Sequence, residues 1–252
     1  MKLYKRRWWI LFVFSALNLL QSFVGITWIT IQQSAKDVFS WEDWILIILT
    51  HCKTIAFVIL GIPACWFLKR TGIRNNVLLA NTFLFTGIGI RCVMQNIQIA
   101  KLLIYISQIL VGTAGVVITG SSSLVSSIWF PVKQRTTVTT IFNLCNYVGI
   151  YLGFLIGPIV IDLSTLSPCR DANLNRMNIS CVYLSGGRSE IAIHYQIDRI
   201  KYMMYFEFIL ASFVIFFVYM FFQKKPALSP SFTASLERLG LKTSFQILKK
   251  FV

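Results

Sequence analysis

The amino-acid sequence predicts an all-α membrane protein with six transmembrane helices. The 252-residue chain is 56% hydrophobic and only 13% charged, whereas about a quarter of the residues of a soluble domain are charged. Its mean hydropathy is +0.68. The apolar residues form six runs of roughly 20 residues, the length that a helix needs to cross about 30 Å of hydrocarbon. Runs of this length favour membrane spans over a single buried core.

Polar breaks in the sequence set the limits of the six spans. We predict spans at residues 8–31, 44–68, 77–97, 102–128, 138–161 and 202–222. The first span is too long for a cleavable signal peptide and lacks a small-residue cleavage site, so we expect it to stay in the membrane. The remaining parts are a leader at 1–7, a long loop at 162–201 and a basic tail at 223–252.

The distribution of charges predicts that both termini lie in the cytoplasm, because cytoplasmic connections carry an excess of Lys and Arg. The leader, the second-to-third and fourth-to-fifth connections and the tail are rich in Lys and Arg, and Glu237 is their one acidic residue. The opposite connections carry equal numbers of basic and acidic residues. Topology therefore explains the net charge of +15, and the expected partner is the lipid bilayer and not a nucleic acid.

The long loop at 162–201 is expected on the non-cytoplasmic side. It contains Asn178-Ile179-Ser180, an N-glycosylation sequon, so Asn178 is the predicted glycosylation site. Cys169 and Cys181 lie in the same loop, on the oxidising side of the membrane, and are candidates for a disulfide. The alternative is a pair of free cysteines.

Polar residues inside the spans are the candidates for a substrate cavity, because burying them in hydrocarbon is costly. In the first span Asn18, Gln21 and Trp28 share one helical face with Gly25. They face either a water-filled cavity or a neighbouring helix. Asn146 of the fifth span is a further candidate for the cavity wall.

Charged residues inside the spans are candidates for contacts with a substrate or a coupling ion. Lys53 lies nine residues past the start of the second span, about 13 Å deep. The alternatives for Lys53 are a structural ion pair or a span that starts later. Glu207 is the leading coupling acid, with His51 as a second candidate, although Glu207 could also reach the outer interface. Arg91 is expected to extend towards that interface.

Sequence patterns of enzymes are missing. The chain has no His-Glu-x-x-His pair, phosphate-binding loop or Gly-x-Ser-x-Gly elbow. Its two histidines, His51 and His194, are far apart. We therefore predict no catalytic residue, metal site or cofactor. The sequence gives little support for a six-span cation channel, because the arginine repeat of voltage sensors and the potassium-filter sequence are both absent.

Two segments resemble motifs of the major facilitator superfamily. The second-to-third connection, 68–74, resembles a degenerate form of the superfamily's loop signature, with Lys69 in place of the usual aspartate. The fifth span ends in Gly157-Pro158 and is similar to the superfamily's glycine-rich fifth helix. Its glycines at every fourth position, Gly149, Gly153 and Gly157, are typical of close helix packing.

Further segments resemble solute carrier family 49, most closely its disrupted in renal carcinoma protein 2 branch, with the feline leukemia virus subgroup C receptors as cousins. These segments are 4–8, 28–35, 87–92, 129–130, 135–137 and 225–231. The resemblance covers nearly the whole chain and only the N-terminal half of such a transporter.

The resemblance implies transport of a small organic solute by alternating access, with proton coupling as an option. The implied cargo is vitamin B6-like, choline-like or haem-related, and the implied location is the lysosomal or plasma membrane. A complete cavity would need either the missing C-terminal half or a homodimer. The alternative is a truncated, non-transporting six-span protein that regulates or pairs with full-length carriers.

Overall fold

The structure is a computed structural model that describes residues 6–32, 35–36, 41–93, 97–171 and 190–222. Six α-helices account for nearly all of these residues. They are α1 (Arg6–Thr30), α2 (Asp43–Thr71), α3 (Ile73–Cys92), α4 (Ile97–Trp129), α5 (Val132–Asp171) and α6 (Glu190–Phe221). The predicted all-α fold is confirmed.

Five of the six helices, α1, α2, α4, α5 and α6, are long and apolar enough to cross a membrane. The 20 residues of α3 would extend about 30 Å, but α3 is more polar than the others. Its polar side chains Asn76, Asn81 and Arg91 are nevertheless buried. The polarity of α3 is therefore directed into the bundle and away from lipid.

A single glycine separates α2 from α3. Gly72 has φ +81°, a backbone conformation that side chains with a Cβ rarely adopt. The Asn76 amide donates to the Gly72 carbonyl at 2.7 Å and to the Leu68 carbonyl at 3.3 Å. The helix that follows starts directly at Ile73, four residues before the predicted span at 77–97, and it ends earlier, at Cys92.

The last two helices extend beyond the predicted spans. The 40 residues of α5 and the 32 of α6 correspond to about 60 and 48 Å, well over the bilayer's hydrocarbon thickness. Much of the predicted loop at 162–201 is therefore helical. Asn178 and Cys181 lie outside the described residues, as does the tail at 223–252, and the side chain of Cys169 is not described. The glycosylation and disulfide assignments stay predictions.

The helices pack around α1 and α4. Helix α5 runs along α1, α4 lies between α2 and α3, and α6 packs against α3 and α1. Most of α1 is buried, whereas α2, α5 and α6 expose many large apolar side chains. Such exposure suits a bundle surrounded by lipid or by further helices.

The glycine repeat of α5 allows its close approach to α1. A methyl group at Gly149 would overlap the backbone carbonyl of Leu19, and one at Gly153 would overlap the side chain of Ile26. A methyl group at Gly157 would overlap the side chain of Thr30. The prediction that this repeat serves helix packing is confirmed.

Candidate functional site

A buried ion pair joins α3 to α6. The Nη1 atom of Arg91 lies 3.3 Å from Oε2 of Glu207, and both side chains are fully buried, with 0% exposure. The expectation that Arg91 extends to the outer interface was wrong, because its opposite charge is supplied within the bundle. A lone charge at the membrane centre costs about 2.5–3.5 kcal/mol on insertion scales, and pairing offsets part of that cost.

Three further hydrogen bonds join Arg91 to the helices around it. Its Nε donates to the hydroxyl of Ser107 at 2.5 Å, and its Nη2 donates to Oε1 of Gln108 at 3.3 Å. Its Nη1 also donates to the backbone carbonyl of Val24 at 3.3 Å. A guanidinium has five N–H donors in a fixed fork. These three partners therefore orient the side chain and offset part of the free-energy cost of burying it.

Glu207 has a second partner on α1. The hydroxyl of Thr27 donates to Oε1 of Glu207, while Arg91 contacts the other carboxylate oxygen. The network therefore connects α1, α3, α4 and α6. A change in the charge of Glu207 would therefore alter contacts of all four helices.

Lys53 is the second cation inside the bundle, on α2. Its ammonium group lies against Gly25 of α1, so closely that a methyl group at Gly25 would overlap it. A Cβ at Gly112 of α4 would lie 3.1 Å from the Lys53 backbone carbonyl oxygen. Two glycines thus bring α1 and α4 against this lysine. Within the described part of the chain, the ammonium has no hydrogen-bond or ion-pair partner.

The predicted cavity residues of α1 lie in contacts between helices. Asn18 is buried and donates to the Phe14 carbonyl at 2.8 Å. Gln21 is buried against Gly115 of α4. Trp28 is also buried, and its Nε1 has no hydrogen-bond partner among the described residues. For Asn18 and Gln21 this placement favours the helix-contact alternative, and a cavity role for the three residues stays a prediction.

Two other predicted residues lie nearer the surface of the bundle. Asn146 is half-buried on α5, and His51 is exposed on α2. Neither side chain is hydrogen-bonded to a described residue. The structure therefore brings Gln21, Gly25 and Lys53 together with the glycines of α4, and it leaves Asn146 and His51 at the edge.

Comparison with known proteins finds relatives in one family. No protein-family model matches the sequence. The solute carrier family 49 member 4 homologue of Xenopus laevis is 31% identical over 252 residues, which cover 98% of this chain and 51% of the relative. The Xenopus tropicalis homologue is 30% identical over 247 residues, covering 96% and 50%. The chain is therefore similar to solute carrier family 49 over nearly its whole length.

The chain spans about half the length of the curated relatives that it matches. The human choline/ethanolamine transporter FLVCR2 is a more distant relative, 24% identical over 241 residues, which cover 93% of this chain and 40% of FLVCR2. The resemblance found in the sequence is thus confirmed at the level of the family.

A solved structure shows the same fold. A bacterial homologue of the human lysosomal transporter Spinster, in an inward-facing and unoccupied conformation, superposes with a TM-score of 0.62 and 15% identity. The match covers 89% of this chain and 45% of the bacterial protein. At this identity the likeness shows the fold alone, one six-helix half of the major facilitator arrangement.

Helices α2 and α5 have broad apolar faces that the described residues leave uncovered, and α6 also exposes large apolar side chains. The face of α2 includes Ile55, Val58, Ile59, Ile62 and Trp66. The face of α5 includes Leu144, Tyr147, Tyr151, Phe154 and Ile159. Lipid or a second set of six helices would cover such surfaces.

Sequence reasoning missed the partnership of Arg91 and Glu207, although a signal for it existed. Both residues lie near the outer ends of their spans, and buried charges of opposite sign pair. Thr27, Ser107 and Gln108 were missed for a different reason. Which face α4 turns towards α3 is decided by packing, and the sequence pattern does not give it.

Proposed function

We propose that this chain forms one half of a carrier that moves a small organic solute across the membrane by alternating access. In such carriers the substrate binds near the midplane, between two sets of helices that rock against each other. The observation that carries the proposal is the set of charged side chains held inside a six-helix half of this fold. Ionisable groups are costly in a membrane and commonly mark substrate or ion pathways.

The proposed cavity lies on the side of the bundle where α2, α4 and α5 are open. We propose Lys53 of α2 and Asn146 of α5, both partly buried, as parts of its wall. Thr119 and Ser123 of α4 are exposed and are further candidates for it. The other wall would come from the C-terminal half or from a second copy of the chain, because one half alone encloses no site.

We further propose that the Arg91–Glu207 pair couples transport to protons. Protonation of Glu207 would remove the charge that holds Arg91 and would loosen α6 from α3. His51, exposed on α2, is the second candidate for this role. A proton-dependent contact among four helices would give the half two arrangements, which alternating access requires.

The cargo, the membrane and the topology are also proposals. The family resemblance supports a vitamin B6-like, choline-like or haem-related solute, and the human relative is named as a choline/ethanolamine transporter. We propose a lysosomal or plasma membrane location with both termini in the cytoplasm, because the charge distribution follows the positive-inside rule.

The test is solute uptake into proteoliposomes that contain the purified chain. Labelled pyridoxine and choline serve as probes, and the mass of the assembly is measured in parallel. We expect uptake of at least one probe above that of empty liposomes, and we expect Lys53→Ala to change it severalfold without reducing insertion into the membrane. Gly61→Ala is the matched control on α2, because a methyl group there meets no atom within 4 Å.

Two outcomes would contradict these proposals separately. Unchanged uptake in Lys53→Ala would remove Lys53 from the cavity wall. Absence of uptake for both probes, with the chain correctly inserted and dimeric, would favour the alternative of a non-transporting partner. The uncovered apolar faces of α2 and α5 suit that alternative too, since they could dock on a full-length carrier, and co-purification with one would support it.

A further inference from the structure

The charges inside the spans do not balance. Within the six predicted spans the charged residues are Lys53, Arg91 and Glu207. Arg91 and Glu207 neutralise each other at 3.3 Å, which leaves the charge of Lys53 without a counter-charge among the described residues. The charge of Arg91, which has the same sign, acts on it electrostatically.

The position of the Lys53 side chain is built by its neighbours. Gly25 leaves just the space that the ammonium group occupies, and Gly112 lets α4 approach the backbone of Lys53. At either position a larger residue would push this side chain or its helix away. The residue Lys53 as a whole is partly buried.

The face of α1 that carries Gly25 also carries a hydrogen-bond donor without a partner among the described residues. Trp28 lies one turn beyond Gly25 on α1, and its buried Nε1 donates to none of the described residues. An ammonium and an indole N–H are both donors with no acceptor function. A solute group with acceptor oxygens and negative charge would complement both, whereas a quaternary ammonium group would be repelled by Lys53.

We propose that Lys53, in the space left by Gly25 and Gly112, binds the carboxylate or phosphate group of the transported solute. This inference rests on the proposed transport function and narrows it, because it favours anionic cargo over choline-like cargo. Charge-assisted hydrogen bonds are stronger than neutral ones. The site therefore distinguishes a carboxylate from the neutral amide of the same skeleton.

The test is a binding measurement on the purified chain in a neutral detergent, with thermal unfolding followed by tryptophan fluorescence. Nicotinate and nicotinamide are the main probes, because they have the same ring and differ in the charge of one group. We expect millimolar nicotinate to raise the unfolding midpoint by about 3 °C, with affinity roughly tenfold higher than that of nicotinamide. Inorganic phosphate should also stabilise the protein.

Variants locate the effect. Lys53→Met keeps the length of the side chain without its charge, and we expect it to abolish the preference for nicotinate. Gly25→Ala should weaken the preference by displacing the ammonium group, and Gly61→Ala should leave it unchanged. Three results would overturn the proposal. Nicotinate and nicotinamide could stabilise the protein equally, or neither nicotinate nor phosphate could stabilise it. The preference for nicotinate could also survive in Lys53→Met.

Two further arms separate the possible sources of the anion and the two proposals. Stabilisation by phosphatidylglycerol alone, with no effect of nicotinate or phosphate, would assign the site to a lipid headgroup and overturn the solute proposal. Anion binding without uptake into proteoliposomes would contradict the transport proposal and leave the anion site in place. Uptake of choline or pyridoxine, with no stabilisation by nicotinate or phosphate, would support the transport proposal and contradict the anion site.

Discussion

At the scale of single residues, Arg91 and Glu207 each depend on the other, since both are fully buried. Removing one leaves an uncompensated charge, which costs about 3–5 kcal/mol in buried pairs, whereas replacing both by apolar groups is often close to neutral. We predict that Arg91→Met lowers the free energy of unfolding by about that amount and that Arg91→Met/Glu207→Met recovers most of it. Thermal unfolding in detergent measures both. A double variant whose loss is the sum of the single losses would show that the two residues act independently.

The proposed coupling role of Glu207 makes a separate prediction. An amide at this position cannot bind or release a proton, so Glu207→Gln should flatten the pH dependence of solute uptake while keeping most of the hydrogen bonds. The measurement is uptake across a pH series in proteoliposomes. Asp198→Asn is the control, because it also removes an acid from α6 but at an exposed position. A pH profile identical to that of the wild type would assign the buried pair to stability alone.

At the scale of helices, close packing between α1 and α5 depends on Gly149. A methyl group there would overlap the Leu19 carbonyl, which belongs to the backbone and cannot rotate away. We predict that Gly149→Ala destabilises the bundle by about 1–3 kcal/mol, as overpacking does. Gly120→Ala on α4 meets no atom within 4 Å and should be neutral or stabilising by about 0.5–1 kcal/mol. Unfolding midpoints that shift equally in the two variants would contradict this account of the contact.

The helices also show what the sequence could and could not predict. Their number follows from hydropathy, because the bilayer fixes the length of a span, and the spacing of Gly149, Gly153 and Gly157 already indicated a packed face. The extension of α5 to Asp171 was not predictable in this way, because outside the membrane no such length constraint applies. The inward rotation of α3, which buries Arg91, depends on its neighbours, and hydropathy along the chain does not report it.

At the scale of the whole molecule, the uncovered faces of α2 and α5 indicate where a second set of helices would pack. In a twofold-symmetric pair, a contact of α2 with the other copy's α5 occurs twice. Val58 and Tyr147 are 72% and 67% exposed. They lie about 15 and 14 Å from the predicted cytoplasmic ends of their spans, so they would meet at the same depth.

We therefore predict that, in a variant lacking the native cysteines of the spans, Val58→Cys/Tyr147→Cys forms disulfide-linked dimers in membranes. Phe213 of α6 is 61% exposed at a similar depth but lies outside the proposed pair of faces, so Val58→Cys/Phe213→Cys is the matched control. Dimers are detected by non-reducing gel electrophoresis and reversed by a thiol reductant. Equal cross-linking of the two variants would indicate random collision. A control that cross-links alone would place the interface on α6. A monomeric mass with no cross-link in either variant would show that the chain does not pair with itself. The second half would then come from another polypeptide segment.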